Sequence, residues 1–168
     1  MMEINDRTVL VDTPEKYSEM AKDIVPPFLK LMEAIVELED AASKVIEEQE
    51  AEKVKLGIPK HREHPGFMEY INNYRDQYRA IASESCTQKL LDRPFGGSVH
   101  HPAKYIDAIN GPLFFTMKSA KKAMIVIWNK ERTNKKYRFV LVNENGVWKI
   151  DEVKYGFGEQ DKWYIDHI

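Results

Sequence analysis

The residues in this sequence that could do chemistry are few, and the first candidates are two histidines. His61 and His64 stand three positions apart, next to Glu63, in a loop at 57–66 that is rich in proline and glycine. A zinc site needs four protein ligands, or three and a water molecule, and this loop offers no third ligand at a usual spacing. The pattern therefore favours a solvated polar loop over a metal site, and we expect neither a metal nor a cofactor.

The single cysteine, Cys86, is the next candidate, as a nucleophile. No histidine with asparagine or aspartate can be recognised around it that would activate a thiolate. We interpret Cys86 as a small buried or half-buried residue. One cysteine also allows no disulfide within the chain, which is typical of a reducing compartment.

Three tyrosines form a stripe on a predicted helix that runs from 67 to about 85. Each buried hydroxyl on such a face needs a hydrogen-bond partner, so the stripe could line a semi-polar cavity; alternatively, it lies at the edge of the core with its hydroxyls in water. In a cavity, a tyrosine or a carboxylate could act as a general acid or base. The possible cavity-lining residues are Tyr70, Tyr74, Tyr78 and Trp148, and the candidate acid/base groups are Tyr74, Tyr78, Asp76 and Asp151.

Composition and motifs do not indicate an enzyme. The 168 residues are 43% apolar and 31% charged with a net charge of −2, which is ordinary for a soluble globular protein. The sequence contains no phosphate-binding glycine-rich loop, no nucleophile elbow and no zinc-binding helix motif. It also contains no signal-peptide core and no apolar run of about 20 residues, so we expect a cytoplasmic protein that does not enter a membrane.

The elements that must position these residues begin with helices at about 13–85. Thr13-Pro14-Glu15 predicts a helix start with Thr13 as N-cap, and Pro26-Pro27 is predicted to end that helix and open a longer one. In the longer helix, apolar residues recur at three- and four-residue steps, which predicts one buried face. Its members are Phe28, Leu31, Ile35, Leu38, Ala42 and Val45.

A hairpin follows, with Asn145-Gly146 as its two-residue turn, since this pair suits a turn that needs positive φ at both positions. This turn places Leu141 opposite Ile150. After Ile150, the apolar residues still recur at every second position, but they are out of phase with Ile150. One extra residue at Asp151-Glu152, a β-bulge, brings them back to the same face. The corrected register pairs Phe139 with Val153 and Tyr137 with Tyr155. Because a bulge bends its strand, we predict a strongly curved sheet.

This order of elements predicts one domain, 1–168, of the α+β class. It comprises an N-terminal arm at 1–12, helices at about 13–85 and an irregular segment at 86–111 that includes Phe95-Gly96-Gly97. A mostly antiparallel sheet at about 112–157 and a docked tail at 158–168 complete it. Helices that precede such a sheet are expected to pack on one of its faces.

Charge is concentrated in two blocks of opposite sign. Residues 33–53 carry eight acids and two lysines, whereas residues 118–138 carry eight bases and one acid. Both blocks could simply be solvated surface, or they could steer a charged partner. The acidic helix would suit a basic protein, and the basic hairpin, with Trp128 and Tyr137, would suit nucleic acid.

Several short motifs occur together in the second half of the chain. They are Cys86-Thr87, Phe95 leading into His101-Pro102 and Tyr105, the strand 137–141, the run 148–151, and Trp163 with Ile168. Over about 78–168 they resemble immunity proteins of bacterial polymorphic (Rhs-type) toxin systems that adopt the nuclear-transport-factor-2-like fold.

The resemblance implies a cone-like fold, in which about three helices pack on a curved antiparallel sheet, and a non-enzymatic role. Such a protein would bind and neutralise one cognate toxin domain, so no catalytic residue carries over. The acidic block suggests Glu47, Glu48, Glu50 and Glu52 as the toxin-facing residues. The alternative is a small-molecule-binding or isomerase/dehydratase-like enzyme of the same fold, which would use the cavity under the tyrosine stripe. Binding of nucleic acid is the least favoured interpretation.

Overall fold

The computed structural model describes residues 1–94 and 98–168, and its strands form one sheet in chain order. The strands are β1 (Met2–Ile4), β2 (Arg7–Asp12), β3 (Leu113–Ser119), β4 (Lys122–Trp128), β5 (Lys135–Glu144), β6 (Val147–Phe157) and β7 (Tyr164–Asp166). All neighbouring pairs are antiparallel except β2 and β3, which are parallel. The predicted α+β class with a mostly antiparallel, curled sheet is confirmed.

The helices lie in the crossover that joins the parallel strands β2 and β3. They are α1 (Glu15–Ser18), α2 (Ala21–Leu56), α3 (Phe67–Ser83), α4 (Gln88–Leu91) and α5 (Asp107–Asn110). A parallel pair cannot be joined by a tight turn, so the chain must leave the sheet and return. The residues predicted as a separate arm therefore form β1 and β2 of the sheet, where Val9 pairs with Leu113.

The predicted hairpin and its bulge are confirmed. Asn145 and Gly146 form the turn with φ of 53° and 88°. Leu141 pairs with Ile150 while Val140 pairs with Glu152, so that Asp151 is the extra residue of the bulge.

The bulge is also where the helical crossover is attached to β6. The backbone N–H of Ile150 donates to the carbonyl of Ser85 (2.8 Å), and the N–H of Thr87 donates to the carbonyl of Ile150 (2.9 Å). The Asp151 carboxylate accepts hydrogen bonds from the Thr87 hydroxyl (2.9 Å) and the Lys89 ammonium (3.0 Å). The chain that follows α3 is therefore fixed to the sheet at the bulge of β6.

The structure corrects the predicted helix boundaries near the start of the chain. Thr13 is not an N-cap, because its hydroxyl bonds to the backbone N–H (3.0 Å) and carbonyl of Met117 in β3. Pro26 and Pro27 do not end a helix but lie inside α2. Proline has no N–H to donate, so the carbonyls of Lys22 and Asp23, four residues earlier, lose their partners in the helix. Both residues are exposed and their carbonyls can bond to water, so the helix continues.

The inner face of the sheet packs against α2 to form the core. The predicted stripe of α2 is its buried side, and the ring of Phe28 meets Phe139 edge to face at 4.9 Å. The inward side chains of β3–β6, each no more than 6% exposed, are Leu113, Phe115, Met117, Ala123, Ile125, Ile127, Tyr137, Phe139, Leu141, Ile150 and Val153. Strand side chains alternate between faces, so their neighbours in sequence point to the opposite, outer face.

We predict that Asp151→Asn destabilises the protein at neutral pH but much less in acid. Burial raises the pKa of Asp151, but the hydrogen bonds from Lys89 and Thr87 outweigh it and hold the pKa below its usual value. The stabilisation is therefore present above about pH 4 and is lost as the pH falls through the lowered pKa.

Urea unfolding should show D151N less stable than wild type by about 1 kcal/mol at pH 7, with the difference shrinking below about pH 4. Asp76→Asn is the matched control, because Asp76 is exposed on α3. An equal loss in both variants, or a D151N deficit that does not change with pH, would contradict this role of the bulge.

Candidate functional site

The tyrosine stripe lies in the core rather than around an open chamber. Tyr74 and Tyr78 are 2% and 3% exposed with ring centroids 6.0 Å apart, and Tyr70 is half-buried beside them. Tyr105 is fully buried and packs edge to face on Tyr137 at 5.3 Å. Burial, reinforced by the nearby Glu39 carboxylate, raises the pKa of Tyr74 and Tyr78. These phenols therefore stay protonated at neutral pH and are poor general bases.

Burial also accounts for the single cysteine. Cys86 is 1% exposed, and burial raises the pKa of its thiol to about 12, although the Lys149 ammonium opposes the shift. A thiol with that pKa is almost entirely protonated at neutral pH and is a weak nucleophile. The structure thus supports the interpretation of Cys86 as a small core residue.

The charged groups where α2 and β7 meet residues 98–106 are paired with one another. Glu39 is 1% exposed and accepts a hydrogen bond from the backbone N–H of His100 (2.9 Å), whose ring Nδ1 lies 3.0 Å from the same carboxylate oxygen. Lys104 contacts Asp166 of β7 at 3.0 Å and also donates to the carbonyl of His167 (3.0 Å). Burial lowers the pKa of Lys104, and Asp166 opposes the shift. These pairs tie α2 and β7 to the segment between α4 and α5.

The space beside this network is too small for a metabolite. Tyr78, Ala82, Leu90 and Ile168 border a void of about 10 Å³, which is room for about one water molecule. Small-molecule sites usually enclose some 300–1,000 Å³. Of the four residues predicted to line a cavity, Tyr78 borders this void, whereas Tyr70, Tyr74 and Trp148 do not.

The candidate carboxylates, Asp76 and Asp151, are not brought together with each other or with the pair of Tyr74 and Tyr78. Asp76 is exposed on α3, Asp151 is held at the bulge, and Tyr74 lies in the core. Within residues 1–94 and 98–168, no three or more histidine, cysteine or acidic side chains are grouped so that they could hold a metal ion.

Two of the four glutamates predicted to face a partner are used to hold the 57–66 loop against α2. Glu50 pairs with the buried ammonium of Lys53 (3.0 Å), which also donates to the carbonyl of Lys60. His64 Nδ1 accepts from the N–H of Gly66, so its Nε2 carries the proton and donates to Glu52 (3.1 Å). His64 therefore holds the loop against α2 through Glu52 and Gly66.

The other two glutamates are exposed but do not share one helical face with the first pair. Glu47 and Glu48 make no ion pair with any described residue. Each step along an α-helix turns by about 100°, so side chains at 47, 48, 50 and 52 spread around more than half of its circumference. The four do not form a single acidic patch.

The outer face of the sheet presents a different surface. One row of paired residues crosses six strands on this face. It is apolar at Leu10, Phe114 and Val126, cationic at Arg138 and Lys154, and apolar again at Ile165. The next row contributes Thr116, Met124 and Val140. Among the apolar residues of these two rows, Val140 is 8% exposed and the others are more exposed. None of them packs against the hydrophobic core on the inner face.

Two tryptophans stand among the cations of this face. The ring of Trp163 lies 4.5 Å from the Lys136 ammonium and 4.6 Å from the Arg138 guanidinium carbon. The ring of Trp128 lies 4.2 Å from the Lys130 ammonium. A Cβ at Gly156 would stand 2.8 Å from the carbonyl of Lys162, so only glycine lets the 158–163 segment cross β6 this closely.

An open cleft of about 440 Å³ adjoins Trp128. Phe114 and Trp128 form its apolar walls, and Asp107, Asn129 and Arg132 lie at its polar rim. The side-chain amide of Asn129 donates to Asp107 (2.8 Å), which fixes one side of the rim. We call the outward side chains of β2–β6, Trp163 and this cleft the outer face.

Sequence reasoning found only part of this surface. It grouped Trp128 and Tyr137 as basic-hairpin aromatics, but Tyr137 is 6% exposed and points inward. Alternation along β5 places Lys136 and Arg138 on the face opposite to Tyr137, and the structure adds that Trp128 pairs with Lys136. Nothing local in the sequence indicated that Trp163 lies over β5.

The comparison with protein families decides what kind of protein this is. A model described as "NTF2 fold immunity protein" matches residues 39–167, more than half of the chain. The chain belongs to this family. The match confirms the resemblance found in the sequence. Neither the curated proteins nor the solved structures contain a significant match.

The family match runs from the middle of α2 to β7, and so includes the filled interior and most of the outer face. Among the described residues, no helix combines the length and apolar character needed to cross a bilayer. This NTF2 fold immunity protein therefore combines a packed core with a partly exposed, aromatic and basic sheet surface.

We predict that Ile168 acts as a plug that keeps the interior filled. It is 5% exposed and borders the void beside Tyr78. Ile168→Ala should lower the free energy of unfolding by about 2 kcal/mol, because it enlarges this void. Ile165→Ala, in the adjoining strand at 60% exposure, is the matched control and should change stability by less than about 0.5 kcal/mol. Equal effects in urea unfolding would refute the plug.

Proposed function

We propose that this protein gives immunity to one cognate bacterial toxin domain by binding it tightly, without catalysis. The observation that carries the proposal is the family match over residues 39–167. Its place of action is the cytoplasm of the cell that makes it, where a toxin of a polymorphic (Rhs-type) system would meet its target.

The filled interior supports binding as the mode of action. Inhibition by binding needs a preformed surface of roughly 1,600 Å² in total, with few side chains to order on association. The inward aromatic rings and the paired charges of Glu39 and Asp166 hold the sheet and helices in one arrangement. A rigid sheet of this kind can present its outer face with little reorganisation.

An isomerase or dehydratase of this fold would instead need an open pocket with a titratable base. The void beside Tyr78 has about 10 Å³, and burial raises the pKa of Tyr74 and Tyr78. Asp76 and Asp151 lie elsewhere on the surface. No observation therefore favours this alternative over binding.

The first test is recovery of the partner. The tagged protein, made in its native host under conditions in which toxins are expressed, should retain one stoichiometric protein in moderate salt, identified by mass spectrometry. That protein should have a separable domain that stops growth when it is expressed alone. Co-expression of the immunity protein should restore growth, because the complex hides the toxin's active surface.

The control is an unrelated tagged protein of similar size and charge, which should retain no such partner and restore no growth. Failure of the immunity protein to restore growth against any domain recovered with it, or recovery of no partner at all, would contradict the proposal.

A further inference from the structure

We propose that the outer face is the toxin-binding surface, and that it takes an acidic protein segment carrying an apolar or aromatic side chain. This inference rests on the proposed function, because it takes the toxin as the protein that supplies the segment. It places the contact on the opposite side of the sheet from α2 and its glutamates.

The first argument is the apolar character of a surface that should be polar. In an antiparallel sheet with helices on one face, the other face normally carries polar side chains toward water. Here Phe114, Met124, Val126 and Val140 occupy adjacent outward positions on β3, β4 and β5. Their partly exposed edges form one apolar strip on the side away from the helices, which is a surface suited to protein association.

The second argument is the presence of rigid aromatic and arginine anchors. Trp163 packs on both Lys136 and Arg138, and the Lys136 ammonium is fixed by a hydrogen bond to the carbonyl of Gln160 (2.9 Å). Tryptophan and arginine are the residue types that most often dominate the energy of protein interfaces. Because both are already held in place, binding costs little side-chain entropy.

The third argument is charge. Lys130, Arg132 and Arg138 make no ion pair with any described residue, and Arg138 Nε is buried without a hydrogen-bond partner there. Lys154 pairs with Glu152 on its own strand at 3.2 Å. Cations left without carboxylates on an interaction surface are complementary to an acidic partner, with which they form charge-assisted hydrogen bonds.

The cleft explains why the segment needs an apolar side chain. Phe114 and Trp128 line about 440 Å³ of open space, and the same cleft is lined by Lys130 and Arg132 as well as by Asp107 and Glu131. An aromatic or large aliphatic side chain inserted there would cover both rings while carboxylates on either side reach Lys130 and Arg132.

Two other occupants fit less well. Nucleic acid needs a track of exposed cations, but Lys136 is 8% exposed and already bonded, and half of the face is apolar. A second copy of this chain in a two-fold dimer would place the same predominantly basic face on both sides, so the two copies would repel each other electrostatically.

The surface can be tested before the toxin is known, with a glutamate–tyrosine copolymer as the acidic aromatic probe. Two of the three tryptophans, Trp128 and Trp163, lie on the outer face, so binding should quench the intrinsic fluorescence. Added salt should weaken the binding. Lys130→Glu with Arg132→Glu should weaken it by about tenfold or more, and Phe114→Ala by several-fold.

Lys118→Glu with Lys121→Glu is the matched control. These two lysines are exposed, belong to the same basic block and lie about 20 Å away along the strands. The proposal predicts less than about a twofold change. No binding of the copolymer, an equal loss in the control, or displacement by a single-stranded oligonucleotide of similar affinity would overturn it. Loss of a dimer in K130E/R132E, seen by size-exclusion chromatography, would assign the face to a second copy and overturn it as well.

The recovered toxin domain then separates this inference from the proposed function. K130E/R132E and F114A should weaken toxin binding and protection, whereas Glu47→Lys with Glu48→Lys should not. If the α2 variant abolishes binding and the outer-face variants bind normally, the inference fails and immunity by binding stands. If the copolymer binds the outer face but the protein protects against no recovered domain, the proposed function fails instead.

Discussion

The fold depends on one extra residue in one strand. Asp151 lies between Ile150 and Glu152 without a partner on β5, so the strand bends and its later side chains return to the inner face. The same residue accepts hydrogen bonds from Thr87 and Lys89, which fixes the chain after α3 to the sheet. Curvature and helix attachment therefore have one origin. The bend closes the inner face around α2 and leaves the opposite face open.

The two faces of the sheet therefore differ in what covers them. On the inner face, aromatic rings and paired charges surround the core, and the space beside Tyr78 and Ile168 measures only about 10 Å³. On the outer face, apolar side chains and two tryptophans lie among cations, of which Lys130, Arg132 and Arg138 make no ion pair with any described residue. A filled interior makes the sheet stiff, and a stiff sheet is a good platform for binding another protein.

The sequence predicts the features that are encoded locally. The turn at Asn145-Gly146, the register and the bulge follow from a period of two that slips once, and the long stripe of α2 follows from its helical period. The sequence does not predict contacts between distant segments. Three such contacts join residues that no local pattern relates: the pairing of β2 with β3, the hydrogen bond between Thr13 and Met117, and the packing of Trp163 over β5. Helix α2 passes through Pro26 because tertiary packing and exposed carbonyls outweigh a local rule.

The most direct test of a toxin contact on the outer face is zero-length carbodiimide cross-linking of the complex, followed by mass spectrometry. This reagent joins an ammonium to a carboxylate only where the two touch. The account predicts amide links from Lys130 or Lys154 to carboxylates of the toxin. Links from Glu47 or Glu48 to lysines of the toxin, with none from the outer face, would contradict it and place the contact on α2.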